Sequence, residues 1–132
     1  MDITAPYGTP IYAADAGTVI AAQWHNHPTM SWGYYVEIDH GNGYKTLYGH
    51  MSSIAVSQGQ AVTQGQVIGY VGSTGNSTGN HCHFEMSYNG ALVQRLYAVL
   101  RVCDFPAKLQ CMVNISCAVS QKFLQLQGTG LL

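Results

Sequence analysis

Short alternating runs of hydrophobic and polar residues make up the first part of the chain. Two such runs, residues 10–14 and 18–22, are separated by a turn-like segment at residues 15–17 that ends in glycine. Because glycine adopts the positive φ that a tight turn needs, this spacing predicts two short strands folded around residues 15–17. Glycine-punctuated alternation over residues 56–71 predicts two or three further strands.

The clearest local signal is an Asn-Gly pair at Asn42 and Gly43, which separates strand-like runs at residues 34–39 and 44–48. Asn-Gly between two such runs is a strong indicator of a β-hairpin, so we expect these strands to pair. Residues 81–86 also alternate and predict a strand with two distinct faces. The whole pattern favours an all-β, antiparallel fold.

A similar spacing of glycine and β-branched residues recurs at residues 8–20 and 59–68. Two copies are compatible with a duplicated unit, which suits a barrel-sandwich made of similar halves. They are equally compatible with the partial matches that any glycine-rich β-protein gives. The sequence leaves this choice open.

The composition excludes several classes of partner. The chain has 132 residues, a net charge of -1 and only 8% charged residues, so it has no basic patch for nucleic acid or an anionic membrane. No run reaches the roughly 20 apolar residues of a membrane span, and the first residues lack the pattern of a signal peptide. The four cysteines include no C-x-x-C pair and predict neither a disulfide framework nor a thiolate zinc site.

Histidines carry the candidate chemistry. His81 and His83 lie two residues apart in a predicted strand and therefore share one face, where they could bind a metal or simply be a pair of surface histidines. His50 follows a predicted strand end, where a side chain can face a cleft. His25 and His27 fall in a predicted loop, so a role in a rigid site is not favoured.

Three ordered segments resemble the lysostaphin-like (LytM-type) metallopeptidase family. They are the start of the chain from Asp2 to residue 14, the string IDHGNGYKTLYGHMS at residues 38–52, and the string GQAVTQGQVIGYVGSTGNSTGNHCHFE at residues 59–85. The match extends to about Gly90. It departs mildly at Asn80 and Cys82, where the family usually has proline and leucine.

The resemblance implies a zinc endopeptidase that cuts peptide bonds of bacterial cell-wall peptidoglycan. It implies zinc ligands at Asp2 and His83, with His50 and His81 as catalytic residues, one a general base and the other stabilising charge. We expect these four side chains to converge on one side of the fold. We also expect His25 and His27 to lie elsewhere.

The resemblance also implies the fold and the setting. The fold is an antiparallel barrel-sandwich of the duplicated hybrid motif type, with action outside the cell, in the periplasm or at the cell wall. The family's remaining ligand, a histidine four residues before Asp2, would precede Met1. We therefore expect Met1 to be an internal methionine of a longer protein. We assign residues 1–100 to the peptidase domain and residues 101–132 to an irregular C-terminal extension with no part in the site.

Two other readings compete with an active peptidase. The glycine-bounded segment 59–69 also resembles a biotinyl or lipoyl carrier hairpin, but no lysine stands at a predicted hairpin tip; Lys45 lies in a strand. A non-catalytic relative that binds peptidoglycan or regulates another hydrolase is the stronger rival. Such relatives usually lose ligands, whereas all four matched site residues are present here.

Overall fold

The structure, a computed structural model, describes residues 1–92 of the chain and contains nine strands and no helix in that range. The predicted all-β antiparallel class is confirmed. The strands are β1 (Asp2–Thr4), β2 (Pro10–Tyr12), β3 (Gly17–His25), β4 (Gly33–Gly41), β5 (Tyr44–Ile54), β6 (Ala61–Val62), β7 (Val67–Val71), β8 (His81–Tyr88) and β9 (Ala91–Leu92).

All strands belong to one antiparallel sheet whose main path runs β1-β8-β5-β4-β3-β6. The long strand β5 organises it, because its first half pairs with β4 and β8 and its second half pairs with β7. Register shifts along β5 mark the irregular positions at which its pairing changes. Over residues 1–92 the sheet does not close into a barrel.

The hairpin predicted at Asn42 and Gly43 is confirmed, and both residues have positive φ, as such a turn requires. The turn predicted at residues 15–17 does not form a hairpin. Instead β2 pairs with β7, with Ile11 opposite Gly69, and β3 pairs with β4 and β6. Gly69 also allows β7 to pack closely against β5, because a Cβ there would lie only 2.6 Å from the Met51 sulfur.

Strand β8 shows how the alternation divides the molecule into core and site. Cys82, Phe84 and Met86 point inward and are almost wholly buried. The residues between them, including His81 and His83, are half-buried on the opposite face. Burial of the apolar set in the core therefore orients the polar set towards the site.

Residues 93–132 lie outside the described residues, so the domain boundary at residue 100 and the extension at residues 101–132 stay predictions. No helix in the described part of the chain is long and apolar enough to cross a membrane.

Candidate active site

The candidate site is centred on the pairing of β1 with β8. Asp2 lies directly opposite His83 in this antiparallel ladder. Their side chains meet, with 2.7 Å between Asp2 Oδ1 and His83 Nδ1. The same carboxylate oxygen lies 3.7 Å from Nε2 of His81. The hydrogen bond to His83 lowers the pKa of the Asp2 carboxyl, so this group carries its negative charge into the acid range.

His50 enters the same cluster from β5. Its backbone is in the left-handed region, with φ of 58°, and its amide donates to the Trp32 carbonyl at 2.6 Å. Its ring centroid lies 4.7 Å from that of His81 and 5.7 Å from that of His83. Gly49 pairs with His83, and a Cβ at this position would lie 3.4 Å from the His83 Cβ, so glycine lets the two strands approach closely here.

Two backbone carbonyls orient the catalytic candidates. His50 Nδ1 lies 2.7 Å from the Thr74 carbonyl oxygen, and His81 Nδ1 lies 2.7 Å from the Gly79 carbonyl oxygen. Because a carbonyl only accepts, each Nδ1 must carry the proton. The remaining nitrogen, Nε2, then keeps its lone pair in a neutral ring. Burial lowers the pKa of His50 and favours that neutral form.

The cluster opens into a cavity of about 410 Å³. One wall comes from the loop between β7 and β8, and another from the connection between β3 and β4. Small and polar side chains make up most of the first wall, which leaves room for a peptide backbone to approach. The lining residues are Asp2, Met30, Ser31, Trp32, His50, Asn76, Ser77, Thr78, His81, His83 and Glu85.

Residues 1–95 match Peptidase family M23, and this match covers 95 of the 132 residues of the chain. This chain belongs to peptidase family M23. The resemblance to lysostaphin-like enzymes seen in the motifs is thereby confirmed.

The curated relatives of this M23 chain include enzymes named as endopeptidases. It is 44% identical over 97 residues to the peptidoglycan DD-endopeptidase ShyA of Vibrio cholerae, covering 74% of this chain and 22% of that protein. It is 41% identical over 100 residues to the DD-carboxypeptidase/endopeptidase Mpg of Neisseria meningitidis, covering 76% of this chain and again 22% of the relative. The chain thus spans about a fifth of the length of these relatives.

Two solved peptidase structures are also similar to this chain. The catalytic domain of lysostaphin from Staphylococcus simulans is similar with a TM-score of 0.63 and 34% identity, covering 67% of this chain and 65% of that one. A zinc-containing peptidase from Vibrio cholerae is similar with a TM-score of 0.64 and 40% identity, covering 70% of this chain and 27% of that one.

The donor atoms of the M23 site suit zinc in kind. An imidazole nitrogen and a carboxylate oxygen are both common zinc ligands, with bonds of about 2.0–2.2 Å. Two ligands of tetrahedral zinc lie about 3.3 Å apart at such bond lengths. The 2.7 Å between Asp2 and His83 therefore needs to open only slightly. Within residues 1–92, no group of three His, Cys, Asp or Glu side chains is arranged to hold a metal ion.

The other histidines lie apart from this cluster. His25 is the last residue of β3 rather than part of a loop, and its ring packs against Trp32 with 4.4 Å between ring centroids. His27 accepts hydrogen bonds from the Thr29 and Met30 amides and so stabilises a turn. Neither lines the 410 Å³ cavity. The structure thus brings Asp2, His50, His81 and His83 together, while their roles stay predictions.

Sequence reasoning missed Glu85. Its Oε1 lies 2.7 Å from Nε2 of His83, on the side of the ring opposite Asp2. The available signal was the same alternation that pairs His81 with His83, since the next residue on that face is Glu85. Trp32 and Thr74 were also missed, because they reach His50 only through backbone carbonyls of distant loops.

Proposed function

We propose that this M23 chain provides the catalytic site of a zinc-dependent endopeptidase that hydrolyses peptide bonds in bacterial peptidoglycan. The observation that carries the proposal is the convergence of His50 and His81 on the contact between Asp2 and His83, in one open cavity. The name of ShyA, a peptidoglycan DD-endopeptidase, supports the substrate class, and the endopeptidase activity in the name of Mpg supports the reaction. Such an enzyme works outside the cell, in the periplasm or at the cell wall.

Asp2 Oδ1 and His83 Nδ1 are the atoms proposed to hold zinc. When bound, zinc supplies Lewis acidity, which polarises the scissile carbonyl and lowers the pKa of a bound water to about 7. The additional histidine ligand that the family motif places before Asp2 stays a sequence-based prediction. With only two donors among residues 1–92, we expect the 132-residue chain to bind zinc weakly and, without tightly held zinc, to fail to hydrolyse peptidoglycan.

His50 and His81 are proposed to handle the proton and the developing charge. Each ring has Nδ1 committed to a backbone carbonyl and Nε2 available, so each is oriented to accept a proton from an attacking water. One ring takes that proton and returns it to the leaving amine nitrogen. The other, in its protonated form, donates a hydrogen bond from Nε2 to the substrate oxygen on which negative charge forms.

The test makes Asp2→Ala and His83→Ala in a chain extended upstream through an H-x-x-x-D motif, with His27→Ala as a control that removes an exposed histidine outside the cavity. Zinc affinity is measured by titration, and hydrolysis by release of soluble fragments from purified peptidoglycan. We expect both site variants to lose zinc binding and hydrolysis, and the control to match the extended chain. The 132-residue parent should bind zinc more weakly than the extended chain and release no fragments, and equal activity in the two would contradict this expectation.

Unchanged zinc affinity in both site variants would contradict the metal site. Binding of the parent and extended chains to peptidoglycan, with no release of fragments from either at saturating zinc, would contradict the catalytic proposal. That second outcome would identify a non-catalytic member of the family.

A further inference from the structure

Both ring nitrogens of His83 contact a carboxylate. Asp2 Oδ1 lies 2.7 Å from Nδ1, and Glu85 Oε1 lies 2.7 Å from Nε2. A ring nitrogen that carries a proton can donate a hydrogen bond but cannot bind a metal. The position of the proton on this ring therefore decides whether Nδ1 is a ligand or a donor to Asp2.

Glu85 lies where it can determine which ring nitrogen of His83 carries the proton. The two side chains share one face of β8, and each is about three-quarters buried, with exposed fractions of 23% for His83 and 25% for Glu85. An ionised carboxylate only accepts hydrogen bonds, so contact with Glu85 favours the ring form that has its proton on Nε2. Partial burial strengthens this contact relative to one in open water.

We propose that Glu85 is a positioning residue that holds a His83 proton on Nε2, so that Nδ1 can give up its hydrogen bond to Asp2 and bind zinc. This inference rests on the proposed function. Without Glu85, the hydrogen bond from Nδ1 to Asp2 becomes the best one left to a neutral His83 ring. That bond occupies both donor atoms of the proposed zinc site at once.

The neighbouring strands supply a matched control. Leu47 of β5 pairs with Glu85 on one side and with Glu37 of β4 on the other, so the two glutamates flank the same residue. Both line a second cavity of about 130 Å³. Among residues 1–92, Glu37 has no hydrogen bond to His83. Glu37→Ala therefore removes an equal charge from nearby without removing the contact to the ring.

The experiment is a zinc titration of the full chain, followed by NMR of the histidine side chains, for the parent, Glu85→Ala, Glu85→Gln and Glu37→Ala. We expect Glu85→Ala to raise the zinc Kd by about 10- to 100-fold. Glu85→Gln keeps an accepting oxygen and should recover most of that loss. Glu37→Ala should keep the parent value. In the zinc-bound parent, the His83 proton should be found on Nε2.

An unchanged Kd in Glu85→Ala would overturn the proposal, as would an equal loss in Glu37→Ala, which would point to general electrostatics. A His83 proton on Nδ1 in the zinc-bound parent would overturn it without any variant, so the test does not depend on how well a variant folds. If the parent shows no zinc-dependent shifts at all, the zinc site itself fails. If Asp2→Ala and His83→Ala weaken zinc but Glu85→Ala does not, only the role of Glu85 fails.

Discussion

His40 and His50 lie on neighbouring strands and resemble each other in several ways. Each points Nδ1 at a backbone carbonyl, His40 at Ala16 with 3.0 Å and His50 at Thr74 with 2.7 Å. Burial lowers the pKa of both rings, so both favour the neutral form. The two histidines therefore have the same tautomer and the same direction of pKa shift.

Their Nε2 atoms differ. In His40, Nε2 is hydrogen-bonded to the Thr46 hydroxyl at 2.6 Å, and that hydroxyl is in turn 3.0 Å from the hydroxyl of Tyr48. Among the contacts of residues 1–92, Nε2 of His50 has no hydrogen-bond partner, and its ring faces His81 and His83. A histidine whose second nitrogen is saturated holds the fold together, whereas one left open can react with a substrate.

The largest expected effect is a difference in kcat between variants of the two histidines. In the chain extended upstream through an H-x-x-x-D motif, we expect His50→Asn to reduce kcat for peptidoglycan hydrolysis by about 10²- to 10⁴-fold, the range for loss of a general acid-base group. Asparagine tolerates the positive φ at this position and can still donate to Thr74, which limits structural damage. His40→Asn should leave kcat at saturating zinc near the value of the unsubstituted extended chain. Equal losses of kcat in the two variants would break the distinction.

The free energy of unfolding should show the reverse order, with the larger loss in His40→Asn. His40→Asn leaves the buried Thr46 hydroxyl and the Ala16 carbonyl without their ring partner, and we expect it to lower the free energy of unfolding by about 1–3 kcal/mol. His50→Asn should lower the free energy of unfolding by a smaller amount. Urea denaturation of both variants in the presence of a chelator measures the difference. A larger loss in His50→Asn would contradict the assignment of His40 as the structural histidine.

A smaller effect is expected on how the free energy of unfolding depends on pH. Burial lowers the His40 pKa from its ordinary value of 6.5 and outweighs the Ala16 carbonyl and the charges of Asp15 and Asp39, which raise it. Below pH 6.5 the unfolded chain then binds more protons than the folded chain, so stability falls as the pH falls towards the folded-state pKa. His50 contributes with the same sign in the parent and in His40→Asn alike.

We therefore expect the free energy of unfolding to fall less between about pH 7.5 and pH 5.5 in His40→Asn than in the parent. Denaturant titrations at a series of pH values measure both slopes. Identical slopes would show that His40 is not perturbed by folding.

The smallest effect is expected from deletion of the C-terminal segment, which lies far from both histidines along the chain. Deleting residues 101–132 should leave zinc affinity, kcat and the melting temperature unchanged, because the cavity and both hydrogen-bond networks are built from residues 1–92. The control is the full chain purified in parallel. Loss of folding in the shortened chain would show that the segment belongs to the domain, and would move its boundary beyond residue 100.

Local alternation and motif order were enough for much of this picture. The alternation in β8 predicted which residues face the core and which face the site, and the Asn42-Gly43 turn predicted the pairing of β4 with β5. Motif resemblance indicated the family and nominated Asp2, His50, His81 and His83. These features are readable because side-chain period and turn chemistry depend on adjacent residues alone.

Long-range register was decided only by the tertiary structure. Asp2 and His83 are 81 positions apart, and only the pairing of β1 with β8 brings their side chains together. The same holds for the pairing of β2 with β7, where the local turn signal pointed to the wrong partner. The difference between His40 and His50 is also tertiary, because it rests on whether a distant hydroxyl or an open cavity meets Nε2. No periodicity in the sequence encodes which group arrives there.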